Sequence, residues 1–415
     1  MKRLKIAFFT GIFPALTESW LVEQATSLID LGVEIDFFAY DKGNPEHVSE
    51  IIQKYHILEN ITYLEFPQNK IEKIFKAIPL IFKVFFHDPS TALHIMTGRF
   101  GSPLLTLFWT APLIGKMGKY DVIHCHFGIV GNRFLMAKRI LGIRKPLVVS
   151  ILGLDSKRYI QLKGIEVYDQ LKKECDYFFM LTEEMKQRFM QLGFPKNKLV
   201  VLYGGVNPDR YTFTEKKYTP GDLFNIIFVG RFVQKKGIDD AIRAIKIVYD
   251  QFPLVRFHII GAGAPAYTDY LKKLVKELHI EHAVIFEGMV PHVETLERYS
   301  LPDTHILFQP SRTGDDGDTD DMPFVLLEAQ LCGVPVITTD HAGIPEALLD
   351  GETGFIVAQR DYHAAAEKII HLIKNPELLP RMGRAGREFV INKFDLKVID
   401  VELIDLYHLL ARSKT

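Results

Sequence analysis

The chain is 415 residues long, 47% apolar and 24% charged, with a formal net charge of −1. That length exceeds one ordinary core and predicts two domains of about 200 residues each, while the composition excludes both disorder and a broad nucleic-acid-binding surface. Cys125, Cys175 and Cys332 are scattered without a CxxC pair, which argues against a disulfide framework or structural zinc and for a reducing, cytoplasmic compartment.

The opening MKRLKIAFFTGIFPA has the basic start and apolar run of a signal peptide. The run is short, Gly11 interrupts it and no small-residue cleavage site follows, so KIAFFTG reads as a first buried strand. No stretch approaches the ~20 apolar residues of a membrane span. VEIDFFAY, DVIHCHF, PLVVSIL and YFFMLT then alternate with helical-period stretches, and FNIIFVG, VRFHIIG, AVIFEG, HILFQPS, PVITT and GFIV repeat the alternation. Continuous apolarity marks strands covered on both faces, hence an α/β chain with parallel sheets. The polar PDRYTFTEKKYTPGD (208–222) reads as a linker between an N-terminal domain, 1–207, and a C-terminal domain, 223–394. Two doubly wound, Rossmann-like domains facing a cleft follow, with ligands beyond the carboxyl ends of the strands.

Several segments carry candidate chemistry. NKIEKIFKAIPLIFKVFFHD (69–88) interleaves Lys70, Lys73, Lys76 and Lys83 with aliphatic and aromatic residues; it is either an interfacial membrane helix or an amphipathic helix packed on the N-terminal core. DVIHCHFGIVGN (121–132) puts His124 and His126 on one face of a strand, His126 at its carboxyl end, and SILGLDS (150–156) adds Asp155. Two histidines without a third ligand do not predict a metal. In FVGRFVQKKGIDDAIRAI (228–245), Arg231 and Lys236 follow a strand and precede a helix, a placement suited to a diphosphate. Gly261 and Gly263 in VRFHIIGAGAP form half of a dinucleotide fingerprint with no convincing acidic residue after it. They read as a tight turn letting backbone approach a ligand.

The segment TGDDGDTDDMPFVLLEAQLCGVPV (313–336) joins an acidic loop to an apolar helix entered through Pro323. Glu328 within that buried helix is either a structural salt bridge or a ligand-facing carboxylate near an anion-favouring N-terminus. An EF-hand fails at Asp321 and Leu327, and a DxD metal motif suits a different, single-domain architecture. Asp315, Asp316 and Asp318 read as solvated turn residues.

FPALTESWLVEQATSLIDLG, DVIHCHFG, IFVGRFVQKKG, HIIGAG and the block QPSRTGDDGDTDDMPFVLLEAQLCGVPVITTDHAGIPEALLDGETGFIV resemble the GT-B, family 4 retaining glycosyltransferases over nearly the whole chain. Within that group they are most similar to bacterial exopolysaccharide (colanic-acid-type) enzymes. The resemblance implies a metal-independent hexosyltransferase without a cofactor. It would move sugar from a UDP- or GDP-sugar to a glycan or lipid-linked acceptor, at the cytoplasmic face of the membrane. It implies that Glu328 holds the ribose and Asp320 the sugar hydroxyls, while Arg231 and Lys236 neutralise the diphosphate. The amides of Met322, Pro323, Phe324 and Val325, with Gly263, would help bind the donor. His126 joins the catalytic set, and Thr17, Glu18 and Asp155 line the acceptor side. A final helix, 395–415, would pack back on the N-terminal domain. Three departures stand out: Leu152 replaces a histidine, Asp320 replaces glutamate, and Asp321 replaces a glycine beside the donor. They leave a silent homologue serving as an assembly subunit, or an epimerase, as alternatives.

Overall fold

A computed structural model describes residues 3–15, 19–44, 50–98, 101–155 and 157–413. The chain divides into two compact units. One comprises Met1–Met180, Lys186–Leu202 and Lys397–Thr415, the other Leu181–Met185 and Tyr203–Leu396.

The first unit holds β1 (Lys5–Phe13), β2 (Glu34–Lys42), β3 (Ile61–Tyr63), β4 (Val122–His126), β5 (Leu147–Ile151), β6 (Tyr177–Met180) and β7 (Leu199–Val201). They form one parallel sheet in the order β3-β2-β1-β4-β5-β6-β7. Every residue of β4 and β5 is buried, as strands covered on both faces require. Phe9 stacks on Phe38 and packs against Phe134, tying the sheet to the helix Gly128–Ile140. The helix Leu396–Ser413 belongs, from Lys397 on, to this unit. Its Tyr407 is buried and its hydroxyl lies 2.6 Å from His124 Nδ1.

The second unit holds β8 (Phe224–Val229), β9 (Val255–Ile260), β10 (Val284–Gly288), β11 (Thr304–Gln309), β12 (Val336–Thr339) and β13 (Gly354–Val357). They form a parallel sheet in the order β10-β9-β8-β11-β12-β13. The helix Ile238–Gln251 covers it with Ile238, Ile242, Ile245 and Val248, a spacing that gathers them on one face. Asp239 and Asp240 in its first turn suit the helix dipole.

The segment 208–222 does not behave as a free linker. Tyr211 and Lys216 are buried, and Lys216 Nζ donates to the carbonyls of Tyr299 (2.5 Å) and Leu301 (2.9 Å). These anchors follow neither a strand nor a helix period, so nothing in the local pattern marks them. The helix Lys70–His87 packs on a small core cluster along one edge only. It buries Ala77 and Val84 but leaves Ile71, Ile74, Phe75, Phe82 and Phe86 exposed. No helix among the described residues is long and apolar enough to cross a membrane.

In each sheet the strand order reverses once, between β1 and β4 and between β8 and β11. Crevices at such switch points, beyond the carboxyl ends of the strands, are where open α/β sheets bind ligands.

Candidate active site

The loops leaving β8 and β11 are held together by backbone. Gly237 has φ +67°, and a Cβ there would lie 1.9 Å from the Pro310 carbonyl oxygen, so only glycine fits. Arg312 N–H donates to Lys235 O at 2.8 Å. The buried Arg312 guanidinium is paired with Asp239, at 3.0 Å, and with Asp240. The β11 loop is thereby clamped to the start of the helix Ile238–Gln251.

This clamp presents two lysines to the acidic loop. Lys236 Nζ lies 2.6 Å from Asp320 Oδ2, and Lys235 Nζ lies 3.3 Å from Asp320 Oδ1 and 3.0 Å from Asp318 Oδ2. Lys235 also donates to Thr319 O at 3.0 Å. Burial opposes ionisation of Asp320, but the two ammonium groups more than offset it and hold the carboxyl below its usual range. Arg231 is exposed and has no ion pair among the described residues. Asp320, Lys236 and Arg231 thus stand on the two loops of one switch point, where their sequence positions placed them.

Other members of the acidic run differ from the expectation. Asp316 does serve turn chemistry, its Oδ1 accepting from Asp318 N–H at 3.0 Å. Asp318 is not simply solvated, because its carboxylate is committed to Lys235. Asp321, read as a negative charge beside the donor, is 4% exposed and buried with the loop.

The helix Phe324–Leu331 is capped by Pro323 and buries Leu326 through Leu331. Pro323 has no N–H, so the backbone donors at this end are those of Met322, Phe324 and Val325, and Pro323 itself contributes geometry only. Glu328 is 8% exposed, and its Oε1 lies 2.9 Å from Nε2 of His292, at the start of the helix His292–Ser300. The carboxylate therefore has one oxygen on the His292 ring, and the other takes no hydrogen bond among the described residues. His292 escaped the sequence reading. The sequence signal for it is its position just after Pro291, at a helix start following β10.

Gly261 and Gly263 serve a different purpose from the one expected. A Cβ on Gly261 would lie 1.9 Å from Gly230 O, and one on Gly263 would lie 2.2 Å from Phe232 O. The backbone they admit is that of the neighbouring β8 loop, so their first duty is to let two loops touch.

In the first unit His126 is fully buried at the end of β4, in a cage of Phe8 (4.6 Å), Trp20 (5.6 Å) and His124 (4.1 Å). Among the described residues neither of its ring nitrogens has a hydrogen-bond partner. Burial pushes its pKa down to about 3, so the ring is neutral at pH 7. His124, by contrast, is satisfied by Tyr407 Oη and by Ser150 Oγ at 2.8 Å. The next residue, Phe127, has φ +80°, a strained value for an aromatic residue and of the kind that collects at functional sites.

Asp155 is consumed internally. Its Oδ2 accepts from Gly128 N–H at 2.5 Å, and its Oδ1 from Ile129 N–H at 3.3 Å and Tyr168 O–H at 3.2 Å. It caps the helix Gly128–Ile140 from within the core and has no surface to offer an acceptor. Burial raises its pKa to about 7 despite those donors. Leu152 is buried and apolar. Thr17 and Glu18 lie outside the described residues. Among the described residues no three His, Cys, Asp or Glu side chains gather as metal ligands.

Residues 17–210 match the family described as Glycosyltransferase Family 4, and residues 209–389 match Glycosyl transferases group 1. WcaL of Escherichia coli (strain K12), a protein named for colanic acid biosynthesis, is 28% identical over 410 residues, covering 97% of this chain and 99% of WcaL. The amylovoran biosynthesis glycosyltransferase AmsK of Erwinia amylovora is 25% identical over 413 residues, covering 98% of this chain and 100% of AmsK. The crystal structure of Anabaena Alr3699/HepE in complex with UDP and glucose shares the fold with a TM-score of 0.73 at 17% identity, over 97% of this chain and 99% of that one. With both halves matched and two Rossmann-like parallel-sheet units, this chain belongs to the GT-B glycosyltransferases, family 4 in its N-terminal half and group 1 in its C-terminal half.

Proposed function

We propose that the protein transfers a hexose, with retention and without a metal, from a UDP- or GDP-sugar to a glycan or lipid-linked acceptor in exopolysaccharide assembly. The observation that carries this reading is the cation set on the β8 loop, Lys236 on Asp320 and Arg231 exposed on the same loop, at the switch point of the second sheet. Arg231 and Lys236 would neutralise the diphosphate as it leaves, and cations already positioned where charge develops gain most in the transition state. Asp320 would face the sugar hydroxyls. Glu328, whose Oε2 takes no hydrogen bond among the described residues, would bind the ribose, and the amides of Met322, Phe324 and Val325 would add donors at a helix N-terminus. His126 would supply a neutral hydrogen-bonding ring at the carboxyl end of β4. The names of WcaL and AmsK support the polysaccharide setting, and the nucleotide in the Alr3699/HepE crystal supports a nucleotide-sugar donor.

We also propose that the protein works at the inner face of the membrane, resting on the helix Lys70–His87. A panel of UDP-, GDP- and ADP-sugars, assayed for transfer and for nucleotide release, tests the catalytic reading. No turnover with any donor, together with unchanged nucleotide affinity in Glu328→Ala, would refute it. Leu152, apolar and buried where the family has histidine, favours a second reading, a non-catalytic assembly subunit. That reading predicts nucleotide binding without turnover.

A further inference from the structure

The helix Lys70–His87 rests on its unit along a narrow edge made by Ala77 and Val84, with Leu80 half-buried beside them. At about 100° per residue, Ile71, Phe75, Ile78, Phe82, Phe85 and Phe86 lie together on a different face. Their exposures run from 48% at Ile78 to 80% at Phe86. An amphipathic helix that serves the core turns its aromatic face inward; this one turns it outward. The helix carries four lysines against a single acidic residue, Glu72; Lys76 pairs with Glu72 at 2.7 Å and Lys73 lies over the Phe66 ring on the far side, which leaves Lys70 and Lys83 as the positive charge flanking the apolar face. Both properties complement an anionic lipid surface.

Beside that face the helices Lys70–His87, Pro89–Met96 and Pro103–Thr110 enclose a pocket of about 170 Å³. Its buried wall is Val84, Ala92, Ile95 and Leu107, and its rim is Met96, 66% exposed, and Leu104, 40% exposed. An apolar cavity of ~150 Å³ stays dry and takes a benzene-sized hydrocarbon, so this one has room for a short length of alkyl chain. The exposed rim makes it an opening rather than a sealed packing defect, and methionine provides an adaptable wall. Lys83 adjoins the pocket wall at Val84. Burial and the charge of Lys116 both depress its pKa.

We propose that the pocket receives one hydrocarbon chain of an anionic phospholipid, while the outer face of the helix lies in the bilayer interface and the lysines meet the headgroup phosphates. The proposal rests on the membrane-docked reading above but not on the transfer chemistry.

The full-length protein should bind dihexanoyl phosphatidylglycerol below its micelle concentration, measured by calorimetry, and more weakly dihexanoyl phosphatidylcholine. Ala92→Phe, which fills the pocket, and Leu104→Glu, which charges its rim without touching the core, should each weaken that binding at least tenfold. Sedimentation with phosphatidylglycerol vesicles should persist in Ala92→Phe. The double variant Phe82→Ser/Phe86→Ser should lose vesicle sedimentation yet keep the short-chain lipid. Absence of saturable short-chain binding, or binding indifferent to both pocket variants, would overturn the pocket assignment even if vesicles still sediment. Short-chain binding without vesicle sedimentation would instead overturn the docked reading. Equal affinity for the two headgroups would overturn the role of the lysines. A concentration-dependent dimer abolished by Phe82→Ser/Phe86→Ser, with no lipid binding, would assign the face to a second copy of the chain.

Discussion

Replacing Lys236 and Lys235 by methionine, one at a time, should separate catalysis from stability at adjacent positions. Lys236 makes one ion pair, at 2.6 Å to Asp320, between side chains 12% and 14% exposed. Truncating one partner of a buried pair costs about 3–5 kcal/mol when the other is left alone. Here Lys235 remains 3.3 Å from the same carboxylate, so Lys236→Met should cost only about 1–2 kcal/mol, a fall of ~3–6 °C in the melting temperature. Its effect on rate should be larger, because losing one preorganised group at developing charge costs about 2.7–4 kcal/mol, or ~10²–10³ in turnover. Lys235→Met reverses the order. It strips Asp318 and the Thr319 carbonyl of their cation, while Asp320 keeps Lys236 at 2.6 Å, so its cost to stability should exceed that of Lys236→Met and reach about 3 kcal/mol, with less than about tenfold on rate. Initial rates of nucleotide release and thermal melts of the two variants provide the comparison. Retention of kcat/KM within threefold in Lys236→Met, with loss in a still-folded Lys235→Met, would refute the assignment.

Three further outcomes are expected. Glu328→Gln should keep the fold and its contact with His292 but weaken nucleotide binding by about 10–100-fold, since a hydrogen bond to a charged group contributes about 1.5–3 kcal/mol; calorimetric titration with UDP and GDP checks this. Asp155 has a folded pKa raised to about 7 by burial. Its contribution to stability is therefore complete below the unfolded value near pH 4 and is lost as pH rises to about 7, a swing of up to about 4 kcal/mol; between pH 5 and pH 8, urea melts should show a larger fall in stability for wild type than for Asp155→Asn, in which Asp400, also raised to about 7, still titrates. Arg312→Met leaves Asp239 and Asp240 buried without their shared cation, Asp239 keeping a hydrogen bond from Tyr267, and should cost about 3–5 kcal/mol, seen as a lower calorimetric transition.

The acidic run illustrates how far local pattern reaches. Asp316 and Asp318 are alike in the sequence, yet one stabilises a turn within two residues and the other pairs with a lysine 83 positions earlier. Glu328 could be identified as anomalous because an apolar helix surrounds it, but its partner His292 lies 36 residues away on another helix. Asp155 shows the converse case. Its motif pointed outward to an acceptor, and the fold turned it inward to cap a helix.

From its own residues the chain determined the strands, the alternation that makes two parallel sheets, and the positions of Arg231, Lys236 and Asp320 at the ends of β8 and β11. Those features follow from periodicity, backbone propensity and the rule that such sheets bind ligands past their carboxyl ends, all of which act over a few residues or one supersecondary unit. Only the tertiary structure decided that 208–222 packs rather than links, that Gly261 and Gly263 admit protein backbone, and that His126 finds no hydrogen-bond partner among the described residues. It also decided that the aromatic face of Lys70–His87 points away from the core. An amphipathic pattern specifies that one face is apolar, whereas what covers that face depends on the residues that other elements bring to it.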